Sequence, residues 1–536
     1  MTSHARVRTR VRRALAWGFA ACAVLTPGSA GAVTSGVTHS MPASSTVAHA
    51  APSTAGVPSG RHGDAFGASA TGHATAAARP TLALADVTPT VAAPDTDVTV
   101  RVTVRNTTDD VATPTVSVGV GGRLATREDV ARHASRPDDL PERARTTGTA
   151  LAPDATATVA VTLPAEQLRL PRPYGVLPLT VSVSGLGPTG RMATFLPYQV
   201  IKEYEPLRLG VALPLTADPD PALLTGDAQA RTQAWTRMLG PDSRAERTVR
   251  AAEATGATLV ADPSLLGASP AATDATATPT PTPSPTPAET DPRTAFAARV
   301  AETGNDVWFL PPGDPDVSAL ASAAPTLPRP PVTPTTVPGT DRAALSVAWP
   351  AGSSTSRIRS AITDASSPGA VLMRESLSDA DTERTGTASR RDDAGRRIVV
   401  ADDRLSTDLT EVTEETAPAI AQRALADSVA LLAESPGLDR SFLLLPERGL
   451  DPDTAGIVQV VRTLQAAPWI SGVPTKDIVA APATREPVTD PGTSPEAPAS
   501  PLTGENVGEV LATAGLASGL RPSIGDGLIP PMSNRC

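Results

Sequence analysis

Between residues 80 and 201 apolar and polar positions alternate. Val98, Val100, Val102 and Val104 are separated by Thr99, Arg101 and Thr103, and the run stops at Asn106. Val116, Val118 and Val120 repeat the pattern before Gly121-Gly122. Ala157, Val159, Val161 and Leu163 do so again, as do Leu179, Val181 and Val183. Alternation with turn residues between runs predicts antiparallel strands with one face in water. Five to seven such strands in this length fit an immunoglobulin-like β-sandwich without its cysteine pair.

The rhythm changes at Glu203. Short apolar runs without alternation lie at 207–215, 258–261, 307–310, 345–349, 370–373, 398–400 and 442–445. Such runs suit parallel strands covered on both faces. Helical spacing lies between them. Trp235, Met238 and Leu239 share a face in 228–239, and Ile457, Val461 and Leu464 mark another helix. Pro418 opens a third at the position proline favours, with Ile420, Leu425, Val429 and Leu432 on one side. Seven or eight βα units predict an α/β, (β/α)-barrel-like domain, with a doubly wound open sheet as the alternative. No Gly-rich turn follows the first run, which argues against a dinucleotide fold.

Composition fills in the rest. Arg6, Arg8, Arg10, Arg12 and Arg13, then apolar residues 14–25, then Ala30-Gly31-Ala32, read as a signal peptide over residues 1–32. Cys22 also permits a lipoprotein cleavage box, and Arg12-Arg13 hints at twin-arginine export. Residues 33–79 are Ala/Ser/Thr/Gly-rich and expected to be disordered. The reading is therefore a multidomain α+β chain: a sandwich at 80–202 and a barrel-like domain at 203–480. Pro/Thr-rich insertions at about 267–290 and 324–340 are expected to loop out, and 481–536 is a Pro-rich linker, a short helix over 506–520 and an irregular tail. No later run is long and apolar enough to span a bilayer. The net charge of -10 argues against nucleic acid.

From Ala134 to Arg535 there is no histidine and no cysteine. Serine–histidine triads, thiolate nucleophiles and histidine-bound zinc are thus excluded there, which leaves carboxylate chemistry or none. No cofactor or metal is expected. His39, His49, His62 and His73 are too scattered for a compact site, and no Asp-x-Asp-x-Asp-Gly loop is present.

Acids follow the predicted strands. Asp-Pro-Asp recurs at 218–220, 314–316 and 451–453, and Asp-Pro at 262–263. Aspartate before proline is a favoured helix start, so Asp262, Asp314 and Asp451 are expected as N-caps. Glu375 and Glu447 escape that explanation. Two strand-end glutamates could act as nucleophile and acid/base of a retaining glycosidase; the plainer reading pairs them with Arg374 and Arg448. Trp349 and Trp469, at strand and helix ends, are the aromatic candidates for ligand binding.

Four segments carry a family resemblance: LRLGVALPL at 207–215, LVADPSLL at 259–266, VWFLPPGDPD at 307–316 and APWISGV at 467–473. Their order resembles an actinobacterial family of secreted proteins numbered 6049 among the domains of unknown function, over about residues 80–473. The family carries no established activity. The resemblance implies an extracytoplasmic, cell-envelope-associated protein, since family genes commonly neighbour that of the lipid II flippase. That makes the flippase, another envelope protein or a glycan the expected partner. Family members usually continue to a membrane helix, from which residues 524–536 depart. The leading expectation is a non-enzymatic glycan- or protein-binding factor in envelope biogenesis; the alternative is a glycoside hydrolase using Glu375 and Glu447.

Overall fold

The computed structural model describes residues 81–267, 291–323, 333–352, 354–374, 385–483, 488, 505–510 and 512–513, all within one compact unit. The expected signal, the segment 33–79, the Thr-Pro stretch, Glu375 and most of the tail lie outside them.

Two antiparallel sheets come first. Their elements are β1 (Thr81–Thr88), β2 (Val98–Arg105), β3 (Thr115–Val120), α1 (Arg127–Ser135), β4 (Glu142–Thr147), β5 (Thr156–Leu163), α2 (Ala165–Leu168), β6 (Tyr174–Ser184) and β7 (Gly190–Gln199). The strand orders are β1-β2-β5 and β4-β3-β6-β7. The valines of β2, β3 and β5, with Val181 and Val183 of β6, enter one apolar cluster drawn from both sheets. The intervening threonines face outward, where the Thr99 and Thr162 hydroxyls meet at 3.1 Å. Helix α1 has little apolar periodicity. Its start is set by a capping box, in which the Asp129 N–H donates to Thr126 Oγ1 at 3.1 Å and the Thr126 N–H to Asp129 Oδ2 at 3.1 Å.

The second half begins with β8 (Leu207–Leu215), α3 (Ala222–Thr225), α4 (Ala228–Leu239), α5 (Arg244–Thr255), β9 (Thr258–Ala261), α6 (Pro292–Glu302), β10 (Val307–Phe309) and α7 (Val317–Ala323). It continues with β11 (Leu345–Ala348), α8 (Ser356–Ser366), β12 (Ala370–Arg374), β13 (Ser389–Arg391), β14 (Arg397–Ala401), α9 (Asp403–Thr410) and α10 (Ala417–Glu434). Last come β15 (Ser441–Leu444), α11 (Thr454–Gln465), β16 (Ile470–Gly472) and α12 (Thr475–Ala480).

Among the described residues, β8-β9-β10-β11-β12-β14-β15 form a closed parallel ring, because β15 pairs back with β8. These are the seven apolar runs of the sequence, and closure rules out the open sheet. Val260, Trp308, Val347, Leu372, Val399 and Leu443 share one apolar cluster inside the ring, while the alternate residues of β8, β9, β10 and β15 join the larger cluster with the helices and those of β12 and β14 form a separate one with Val488. The ring is therefore a packed core and not a channel. One expectation fails at the second insertion. Its end does not loop out: Val337 is buried in the main cluster, and Thr336 bridges Ala343.

Two short strands splay the base of the ring. On one edge of β14, the Val400 N–H donates to Ala388 O ahead of β13, whereas the Asp402 N–H, further up, donates to Leu443 O of β15. On one edge of β8, the Leu207 N–H donates to Trp469 O beside β16, whereas Leu215 O accepts from Asp262 after β9. The widened base is filled by α12, whose Ile478 and Val479 join the interior cluster. The Thr258 and Thr475 hydroxyls meet there at 2.5 Å. Gly210 packs closely here, since a Cβ on it would lie 2.5 Å from Ile478 Cδ1 and make that side chain shift.

Helix α10 joins the two halves. Leu425, Val429 and Leu432 pack on the barrel, as their spacing predicts. Ala426 and Ala430 form a second cluster with Val130, Val176 and Phe195 of the antiparallel half. A helix apolar on both faces is a buried one.

Candidate functional site

The carboxy-terminal ends of the parallel strands form the face where barrels of this kind place their chemistry. Here that face is laced with arginine–carboxylate pairs. Asp314, after β10, meets Arg448, after β15, with Arg448 Nε 2.9 Å from Asp314 Oδ2. The Arg448 guanidinium lies 4.6 Å from the Trp349 ring centroid and donates to the Trp349 carbonyl. Burial pushes the Asp314 carboxyl up to about 6 against the pull of Arg448, with Asp262 and Asp316 adding to the rise. Asp262, after β9, accepts from the Ser264 N–H at 2.9 Å and the Gly313 N–H at 2.9 Å. It therefore caps the short turn Pro263–Leu266, as expected, and also pins the loop that carries Asp314.

The other two expected caps are corrected. Asp314 has φ +41° and bonds Arg448; it is Asp316 that accepts from the Ser318 and Ala319 N–H groups, at 3.1 and 2.9 Å. Asp451 pairs with Arg247 at 2.6 Å, and Asp453 caps α11 by accepting from the Gly456 N–H at 3.0 Å. The third triplet divides in the same way. Asp218 pairs with Arg244 at 2.8 Å, and Asp220 accepts from the Ala222 N–H at 2.9 Å. Proline locks the residue between the two acids, so the second carboxylate meets the helix start while the first projects to a neighbouring arginine.

Glu447 is two-thirds exposed and lies 3.5 Å from Arg374, whose Nε also donates to Asp403 Oδ1 at 2.8 Å. The expected pairing of Glu447 with Arg448 is thus corrected, because Arg448 is taken by Asp314 and Trp349. Glu375 lies outside the described residues. Trp349 is buried, with Arg448 against its ring. Trp469 has no exposed surface, and its Nε1 donates to Ser428 Oγ at 2.9 Å. It packs between α10 and β16 with no face open to a ligand.

No local pattern announced a second charged centre. Arg127 of α1 reaches into the barrel and spends every N–H of its guanidinium. Nη1 and Nη2 donate to the two oxygens of Asp402 at 2.8 Å each, Nε and Nη2 to Asp427 Oδ2, and Nη1 to Thr385 Oγ1 at 3.3 Å. All three charged side chains are buried. Asp402 also caps α9 through the Leu405 N–H at 3.0 Å. Burial pushes the Asp427 carboxyl up, and Arg127 opposes that rise. Beside this centre a cleft of about 420 Å³ runs between α1, α9 and α10. In it Arg423 meets Asp408 at 2.5 Å, and burial pushes the Asp408 carboxyl up to about 7. In the sequence Arg127 is one arginine among many in a polar stretch, 275 residues from Asp402.

Residues 10–514 match the family described as of unknown function, DUF6049. The chain belongs to this family. No curated protein sequence matches this DUF6049 chain. Among solved structures it is similar to a β-glucosidase from Listeria innocua in complex with gluconolactone, at 16% identity over 23% of this chain and 16% of that one, TM-score 0.17. A β-glucosidase from Erythrobacter marinus is similar at 16% identity over 22% and 15%, TM-score 0.16. β-Glucosidase 3B from Thermotoga neapolitana in complex with α-D-glucose is similar at 14% identity over 22% and 17%, TM-score 0.14. The chain spans less than a fifth of each, an overlap too short to carry an argument about chemistry.

In chemical terms, most of the described strand-end acids of this DUF6049 barrel are engaged, and Glu447 is the two-thirds-exposed exception. Asp262 and Asp402 cap turns or helices, while Asp218, Asp314, Asp402 and Asp403 hold arginines. Among the described residues no group of three or more His, Cys, Asp or Glu side chains is placed to hold a metal ion. None of the described helices is long and apolar enough to cross a membrane.

Proposed function

We propose that this DUF6049 chain is an exported, envelope-associated binding protein without catalytic activity, in which an immunoglobulin-like module and a barrel present one rigid surface to a glycan or a protein partner. One observation carries the reading. On the face where a barrel enzyme keeps carboxylates free to react, Asp314, Asp403 and Asp402 are each held by an arginine, Arg448, Arg374 and Arg127. An acid bound in this way orients its partner and the loop that bears it; it is poorly placed to attack or to shuttle a proton. The strand orders β1-β2-β5 and β4-β3-β6-β7 support an immunoglobulin-like module, since they follow its Greek-key sequence of strands. The basic and then apolar leader supports export. Gene neighbourhood in the family makes the lipid II flippase the first protein partner to try.

The test presents the purified mature chain to lipid II, peptidoglycan fragments and detergent-solubilised envelope, and in parallel to chromogenic β-glycosides. Retention of one envelope component with no bond cleavage is the expected result. Steady glycoside turnover that disappears in Glu447→Gln would establish the glycosidase alternative instead and defeat this proposal.

A further inference from the structure

We propose that the outer edge of β5 is a self-association surface, on which a second copy of this chain seats its own β5 antiparallel about Ala160, joining two three-stranded sheets into one. Among the described residues β5 pairs with β2 alone, as an edge strand of the sheet β1-β2-β5. The register runs unbroken from Val98 opposite Leu163 to Arg105 opposite Thr156. Just beyond it the Asn106 N–H donates to Ala155 O at 2.9 Å. Bonded pairs recur at every second residue of an antiparallel ladder, so Ala157, Val159, Val161 and Leu163 spend their backbone groups on β2. Thr156, Thr158, Ala160 and Thr162 therefore direct N–H and C=O away from it, and no described backbone group bonds them there. Their side chains are exposed on the outer face of the sheet.

The other edges of these two sheets carry features that blunt unwanted pairing, and β5 carries none. β4 holds Glu142, Arg143 and Arg145, and its register with β3 is irregular after Val118. β1 is broken by an irregularity between Leu84 and Asp86. β7 contains Pro197, exchanges bonds with Ala92 and has α10 packed beside Phe195. β5 reads TATVAVTL, without charge, proline, glycine or bulge. The order of its residues chooses the occupant. Residues 158–162, Thr-Val-Ala-Val-Thr, read the same in both directions. A two-fold axis through Ala160 therefore sets Thr158 of each copy opposite Thr162 of the other, and Val159 opposite Val161, with the smallest side chain on the axis. Thr158, Ala160 and Thr162 then exchange backbone bonds across that axis. Threonine hydroxyls already meet on this face, Thr99 with Thr162 at 3.1 Å. The contact is a strand edge only, smaller than a stable interface buries, so association should be weak and concentration-dependent.

Sedimentation velocity of the full chain tests the proposal. The weight-average mass should climb toward that of two chains as concentration rises, and a mass fixed at one chain up to about 1 mM overturns it. Ala160→Lys and Ala160→Glu each place like charges on the axis at an exposed position. Each variant alone should associate about fivefold or more weakly than the wild type, and an equal mixture of the two should regain association as a mixed pair. Association unchanged in either variant, or not regained in the mixture, defeats the proposal. Hydrogen exchange reads the register. As concentration rises the Thr158, Ala160 and Thr162 amides should slow, while those of Val159 and Val161, bonded to β2 in the single chain, should not respond. Slowing elsewhere without these three would put the contact on another surface and refute this one.

Discussion

Each Asp-Pro-Asp triplet shares its carboxylates between a helix and an arginine, and the two roles differ in what they contribute. Asp453 satisfies the Gly456 N–H and also the Glu414 N–H at 2.8 Å, and these bonds hold its carboxyl below the usual range. Asp451 makes an exposed ion pair with Arg247. Asp453→Ala should therefore cost about 1–2 kcal/mol, while Asp451→Ala should cost less than about 1 kcal/mol. Urea unfolding of the two variants checks this, and equal losses would refute the division of roles. Asp314 behaves oppositely with pH. Its folded carboxyl lies above the unfolded value, so its contribution is greatest when protonated and is lost as pH rises from about 4 to about 6. Asp314→Asn should flatten that part of the stability profile, measured as unfolding midpoints across the range.

At the scale of elements, α12 and the splayed base decide each other. The extra strands β13 and β16 widen the ring, and a helix side chain is needed to fill it. Ile478→Ala should cost about 2–5 kcal/mol, because the cavity lies under a closed barrel. Gly210→Ala should cost about 1–3 kcal/mol by forcing Ile478 aside. Combining Gly210→Ala with Ile478→Val should cost less than the sum of the two single changes, since the shorter side chain makes room. Additive losses in that double-mutant cycle would show that the contact is not the cause.

At the scale of the molecule, Arg127 makes the buried charged link between the two halves that α10 also joins. Arg127→Ala would leave Asp402 and Asp427 buried without a counter-charge, at a cost of about 3–5 kcal/mol. Arg127→Lys should not rescue it, because an ammonium cannot serve both carboxylates in the fork geometry seen here. Differential scanning calorimetry should then show the single transition broaden or split as the halves uncouple. The contributions of Asp314 and Asp408 should be lost as pH rises from about 4 to about 7, because both titrate above their unfolded values, so the stability of the wild type relative to an Asp314→Asn/Asp408→Asn double variant should fall over that range. A flat difference over that interval would contradict it.

What the sequence determines by itself is local and periodic. Alternating valines specify the β2 and β5 faces, seven unalternated runs specify the ring strands, and the absence of imidazole and thiol from Ala134 to Arg535 limits the chemistry. Helix α1 is hard to read from apolar spacing because its stripe is thin, yet Thr126 and Asp129 carry a capping signal for it. The pairing of charges was not legible. Which acid of Asp-Pro-Asp caps, that Arg448 lies between Asp314 and Trp349, and that Arg127 reaches Asp402 are all set when distant segments pack. The reason is physical: hydrophobic burial repeats along the chain at the period of the backbone, whereas a salt bridge depends only on where two side chains end in space. Tertiary structure alone made Trp469 core and Asp402 a fastener.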